Sequence, residues 1–138
     1  MSWKEEFPKI WDKMMARRDS EFFRDPVDWK ALGLYDYPTI IKKPMDMRTL
    51  KKNFDNNVYQ SPADLASDTR LIFLNAMTYN DPSSKVFSHA KTQREIFESA
   101  WNAIVNAEED KDRPPSVEQL TEFVEKCHRY SEYMLCAL

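Results

Sequence analysis

A chain of 138 residues with 42% hydrophobic content has the length of one domain and can build a compact core within it. A single glycine and scattered β-branched residues argue against a sheet and for helices joined by proline-marked loops. The net charge of −3 sets the chain apart from basic domains that hold nucleic acid through its phosphates, and suits it to a cationic peptide.

The first segment, Ser2 to about Asp19, carries Trp3, Phe7, Ile10, Trp11, Met14 and Met15 at alternating spacings of three and four, one face of a helix. Lys4, Glu5, Lys9 and Asp12 fill the other face, and Ser2 with Glu5 forms a capping box. Pro8 interrupts the pattern and offers a second start near Phe7.

From Ser20 to Met45 the helical period is lost. Pro26, Pro38 and Pro44 punctuate a long connection that holds Phe22, Phe23, Val27, Trp29, Leu32, Leu34, Tyr35, Tyr37, Ile40 and Ile41. Connections this long are uncommon in compact domains and are usually functional. A merely solvated loop would be polar, so this one packs on something or lines something. Part of its apolar content, notably Ile40 and Ile41, is expected to cover helix ends.

Asp46 is a good N-cap for a short helix to about Asn53, with Met47, Leu50 and Phe54 inward. Lys42, Lys43, Arg48, Lys51 and Lys52 surround it as a solvated basic face, the reading preferred over a nucleic-acid patch. Asn56 and Asn57 mark a turn. Ser61-Pro62-Ala63-Asp64 then starts a helix with a cap, a first-position proline and an early acid. Its apolar face holds Leu65, Ile72, Ala76 and Tyr79, with Phe73 and Met77 adjoining. Asp81-Pro82 closes it, which leaves Asn80 at or just past its C-terminus. Capping alone would account for Asn80, yet its amide also carries two donor hydrogens and an acceptor.

Ser83 can cap the next helix, which includes Val86, Phe87, Ala90, Ile96, Phe97, Ala100, Trp101, Ile104 and Val105 and runs out near Glu108. Pro114-Pro115 is a hinge. Ser116 to Gln119 is a second capping box, and Val117, Leu120, Val124, Cys127 and Met134 continue a helical stripe. Cys127 and Cys136 both fall in that last expected helix, too far apart along it to bond each other, and no CxxC pair exists. His89 and His128 are distant in sequence, so neither a zinc site nor any other metal or cofactor is expected, and a reducing compartment is the default. No apolar run reaches membrane-spanning length, and the N-terminus does not read as a signal peptide.

Phe23-Arg-Asp-Pro-Val-Asp28, Leu32-Gly-Leu-Tyr-Asp-Tyr37, Ile40-Ile-Lys-Lys-Pro-Met-Asp-Met47 and Tyr79-Asn-Asp-Pro82, in this order and spacing, resemble a bromodomain. The resemblance covers roughly Trp3 to Glu108. It implies an all-α fold, a left-handed four-helix bundle with a long loop between the first two helices, over residues 1–110. The segment 111–138 would be an appended C-terminal helix. It also implies a binding module for acetylated lysine, on histone or other chromatin-associated tails, in the nucleus and within a larger chromatin complex. Asn80 matches the asparagine that donates to the acetyl carbonyl, and Tyr37 the tyrosine that reaches it through a water. Val27, Leu32 and Leu34 match the apolar loop wall, and Val86 the gatekeeper opposite. Tyr79 matches the aromatic before the asparagine, and Phe23 the last residue of a Trp-Pro-Phe shelf. Here that shelf reads Glu21-Phe22-Phe23, without the tryptophan and proline.

Enzymatic chemistry finds little support. There is no Ser/His/Asp grouping, no phosphate-cradling Gly-rich loop and no plausible metal cluster, and the acids are scattered on exposed faces. The second reading is a bromodomain-like scaffold for protein–protein contact that has lost ligand binding. The altered shelf favours it, and intact Asn80 and Tyr37 oppose it. Sequence-specific nucleic-acid binding and membrane binding are not expected. The appended stripe needs burial, and docking on the bundle is preferred to self-association because Pro114-Pro115 permits a sharp return. Truncation after Arg113 should then lower the melting temperature of a monomer. An unchanged melting temperature with loss of a dimer, read by light scattering, would reverse that preference.

Overall fold

The structure, a computed structural model, describes residues 2–112, with side chains to residue 107. Among the described residues it is all-helical, with principal helices α1 (Trp3–Met15), α3 (Met47–Asp55), α4 (Pro62–Tyr79) and α5 (Lys85–Asp112). A short α2 (Tyr37–Ile40) lies within the long connection, and a 3-10 helix (Arg18–Phe23) follows α1. No helix among the described residues is long and apolar enough to cross a membrane. The first compact unit ends at Asn106. The helix expected beyond Pro115, with Val117, Leu120, Val124, Cys127 and Met134, lies outside the described residues.

Ser2 caps α1, its hydroxyl accepting from the Lys4 N–H at 3.2 Å, and Phe7, Ile10 and Met14 form the buried stripe. The alternative start near Phe7 is not used, because Pro8 sits inside the helix. The hydrogen bond it forgoes belongs to the carbonyl of Lys4, an exposed residue that water can serve. The helix also ends at Met15, short of the expected Asp19. Side chains supply the reason. Buried Ser20 donates to the Arg17 carbonyl at 2.6 Å, and the Arg24 guanidinium donates to the carbonyls of Arg17 (3.0 Å) and Met15 (3.2 Å). These bonds take up carbonyls at the end of α1 and turn the chain into the tighter 3-10 coil.

Polar pins hold the connection from Arg24 to Asp46. The Arg24 carbonyl accepts from the Arg48 N–H at 3.1 Å, and the Arg48 guanidinium pairs with Asp25. Farther along, Asn75 of α4 donates to the Lys43 carbonyl at 2.8 Å, and the Lys43 ammonium lies 3.1 Å from Asp68. Asp68 is buried and also accepts from the Tyr59 hydroxyl at 2.7 Å. Of the isoleucine pair, Ile41 is buried as expected, but Ile40 is 45% exposed. Ile40 is the last residue of α2 and Ile41 leaves it in extended backbone, so the two side chains diverge.

The other starts follow the sequence closely. Asp46 caps α3 through the Thr49 N–H (3.0 Å), and Ser61 caps α4 through the Asp64 N–H (3.2 Å) with Pro62 at the first position. Asn57 takes the left-handed conformation, φ 58°, that lets the chain leave α3, a conformation asparagine tolerates. The cap of α5 is Ser84 and not Ser83. Ser84 Oγ accepts from the Phe87 N–H at 3.2 Å, while Ser83 is drawn back onto the Asp81 carboxylate through both its N–H and its hydroxyl.

The core joins Phe7 and Met14 of α1, Met47 and Leu50 of α3, Leu65 and Phe73 of α4, and Phe97 and Trp101 of α5. Full burial of each large side chain contributes about 1.5–3 kcal/mol. Trp11 Nε1 donates to the Met47 carbonyl at 3.0 Å, joining α1 to α3, and Arg70 of α4 pairs with Glu98 of α5 through two bonds. Buried Gln93 of α5 donates to the Met14 carbonyl and the Asp19 carboxylate, fixing the 3-10 helix beneath the site.

Tyr59 allows a direct test of the loop pins. Burial foremost pushes its hydroxyl up to about 12, with its bonds to Asn53 and Asp68 acting in opposite directions. The folded value lies above the unfolded one, about 10. The contribution to stability is therefore complete below pH 10 and is lost as pH rises toward 12. Tyr59→Phe should cost about 1–3 kcal/mol at neutral pH, since it removes a bond to a buried carboxylate. Chemical denaturation across pH should show the gap between parent and variant closing above pH 10.

Candidate functional site

The last turns of α4 place Ile72, Ala76, Tyr79 and Asn80 on one face, spaced at four, three and one residues. The pinned connection passes over that face without closing on it. Between them lies a cavity of about 280 Å³. All eight residues singled out in the sequence line it. Val27, Leu32 and Leu34 form the loop wall, Tyr37 stands behind them, Tyr79 and Asn80 come from the end of α4, Val86 from the first turn of α5, and Phe23 from the 3-10 helix.

Local structure explains each placement. Phe23 is 5% exposed and meets Phe73 edge-on, with ring centroids 5.5 Å apart, so the core holds it. Leu32 is 64% exposed and forms the rim. Gly33 follows with φ 71°, a left-handed turn that glycine adopts at no steric cost, and the Leu34 N–H closes it onto the Trp29 carbonyl at 2.7 Å. That turn sends Leu34 back toward the cavity. The Tyr37 ring is buried and packs edge-on against Tyr79 at 5.0 Å. Burial raises the pKa of Tyr37, so its hydroxyl stays neutral. Tyr79 donates to Asp36 at 2.6 Å, a bond that raises its own pKa and fastens the loop to the end of α4.

Asn80 has an extended backbone, and both its N–H (3.0 Å) and its side-chain Nδ2 (2.9 Å) donate to the Ala76 carbonyl. The asparagine does cap its helix. That bond uses one of the two Nδ2 hydrogens, so capping leaves a second donor and the Oδ1 acceptor. The two sequence readings of Asn80 are therefore compatible.

Asp25 is the one charged side chain among the lining residues, and it is 61% exposed and paired with Arg48. The rest of the lining is apolar wall with three neutral polar groups, the Tyr37 hydroxyl, the Asn80 amide and the Tyr79 hydroxyl, the last committed to Asp36. Among the described residues no cluster of histidine, cysteine, aspartate or glutamate is placed to hold a metal.

The sequence did not single out Phe22, Met45, Ile72 and Ala76 as lining residues. For Ile72 and Ala76 the signal existed, since they share the apolar face that ends at Tyr79. Met45 sits within the Pro-Met-Asp-Met motif. Phe22 sits within the altered Glu21-Phe22-Phe23 shelf, at the position where the motif has proline. Its ring stands edge-on to Phe23 at 6.4 Å and tilted against His89 at 5.8 Å, so an aromatic surface persists where tryptophan and proline are missing.

The profile of the family described as Bromodomain matches residues 7–92. The chain is 43% identical over 101 residues to transcription factor GTE4 of Arabidopsis thaliana, covering 73% of this chain and 13% of that protein. It is 41% identical over 92 residues to transcription factor GTE5, chloroplastic, of the same plant, covering 67% and 19%. It is 47% identical over 88 residues to an ankyrin repeat, bromo and BTB domain-containing protein of Dictyostelium discoideum, covering 64% and 11%. The chain thus spans less than a fifth of the length of each of these relatives.

Proposed function

The chain belongs to the bromodomain family, and from that premise we propose that its cavity binds the side chain of acetylated lysine on histone or other chromatin-associated tails, as a non-enzymatic reader. The observation that carries this reading is the remaining donor capacity of Asn80 in an apolar cavity whose one lining charge, Asp25, is exposed and paired with Arg48. Acetyl-lysine is a neutral amide on an apolar stem. Asn80 is the donor to its carbonyl, and Tyr37 reaches the same oxygen through a water. Val27, Leu32, Leu34 and Val86 enclose the methylenes, and Phe23 and Tyr79 close the ends.

Charge supplies the selectivity. An unmodified lysine would bring an ammonium into a site without a partner for it, at a cost of several kcal/mol. The acetylated side chain gains about 1 kcal/mol from the hydrogen bond and about 0.8 kcal/mol for each buried methylene or methyl. After association entropy the balance is a micromolar-class affinity, suited to a module that acts beside other contacts of a larger chromatin protein. A nuclear location follows from such a ligand. The transcription-factor relatives support a nuclear role, although GTE5 is itself named chloroplastic.

Calorimetry with paired histone-tail peptides, acetylated and unmodified, tests the reading. Binding should be confined to the acetylated member, and equal binding of both would favour a scaffold role. Asn80→Ala should lose the direct donor, a cost of about 1–3 kcal/mol, which carries micromolar binding to or past detection. Tyr37→Phe should lose less, because the water it serves can find another partner. Both variants should remain folded by circular dichroism. A folded Asn80→Ala protein that binds as well as the parent would refute the assignment.

A further inference from the structure

Beside the cavity mouth runs a second groove, lined by Arg17, Arg18, Asp19, Lys85 and His89. It shares a wall with the cavity. Phe22 lines the cavity and rests its ring on His89, which lines the groove, while consecutive residues of α5, Lys85 and Val86, line the groove and the cavity respectively.

The charges in the groove are unequally engaged. Asp19 accepts from the Arg17 guanidinium, from both Nε and Nη2, and from buried Gln93, so its charge is committed. Among the described residues Arg18 and Lys85 form no ion pair. Three cations against one carboxylate leave the groove with a local charge of +2, on a chain whose net charge is −3.

From this we propose that the groove is a subsite for a phosphorylated residue of the same peptide whose acetyl-lysine enters the cavity. The proposal rests on the acetyl-lysine reading above. A phosphomonoester carries close to two negative charges near neutral pH and presents three acceptor oxygens. It matches the groove in charge, and guanidinium groups pair with phosphate in two-bond geometry. A groove on one side of the mouth would set the direction of the peptide. A nucleic-acid phosphate fits less well, because the groove is short, lies beside a site for a neutral side chain, and belongs to a chain of net negative charge.

The test uses acetyl-lysine peptides of neutral flanking sequence, with serine, phosphoserine or glutamate scanned two to four residues to either side. Fluorescence anisotropy at low salt should show about tenfold tighter binding with phosphoserine on one side only, and a smaller gain with glutamate. The gain should shrink as salt screens it. The double variant Arg18→Gln, Lys85→Gln should lose the gain and keep the affinity for the unphosphorylated acetyl peptide. Equal affinity for serine and phosphoserine peptides at every position would overturn the subsite and leave the acetyl-lysine reading intact. A phosphate preference that survives the double variant would also overturn it, as would tighter binding of a short DNA duplex than of the phosphopeptide. Failure of every acetylated peptide to bind would overturn the acetyl-lysine reading, and the subsite with it.

Discussion

The site depends on a loop that is apolar yet does not collapse. A stretch carrying Val27, Leu32, Leu34 and Met45 would ordinarily close onto the apolar face of α4 and fill the space between. Polar bonds at fixed points, some of them buried, oppose this. Asn75 and Asp68 on α4 hold Lys43 by its carbonyl and its ammonium, Tyr59 supports Asp68 from behind, and Arg48 holds Arg24 and Asp25 at the loop's start. Leaving any buried member unpaired costs about 1–3 kcal/mol, so sliding of the loop is opposed at several places at once. Tyr79 adds a last tie to Asp36 at the mouth.

Under that constraint the chemistry follows from what the cavity excludes. Its walls are hydrocarbon and its one lining charge is outside and neutralised by Arg48. A charged side chain would therefore have nothing to meet within, whereas the neutral amide of the proposed ligand would find a donor and a hydroxyl. Asn80 can offer that donor while serving its own helix, because a primary amide has two hydrogens and the Ala76 carbonyl takes one. The capping bond also orients the amide, and so reduces the ordering cost that a ligand would otherwise meet.

Much of this was legible in the sequence, for identifiable reasons. Capping residues act within a few positions of themselves, so Ser2, Asp46 and Ser61 marked their helices correctly. Seven of the eight residues that were singled out and line the cavity sit in the local motifs that carry the resemblance, and Val86 lies just beyond the last of them. What was not legible depends on which of several side chains wins a given backbone partner, and in one case on a contact distant in sequence. The early end of α1 is set by Arg24 reaching back to Met15 and Arg17, and Ser83 fails as a cap because Asp81 competes for it. Pro8 misleads because the pattern cannot tell an exposed carbonyl that water can serve from a buried one. The aromatic role of Phe22 needs His89, far along the chain on α5.

The central claim is that the second hydrogen of the Asn80 amide meets a ligand carbonyl at the base of the cavity. Nuclear magnetic resonance of the folded protein, titrated with an acetyl-lysine peptide, reads this most directly. The account predicts that the Asn80 side-chain NH2 pair and the methyls of Val27, Leu34 and Val86 shift together along a single saturating isotherm. An acetyl-lysine peptide that binds while these resonances stay in place, with shifts on another face, would contradict it.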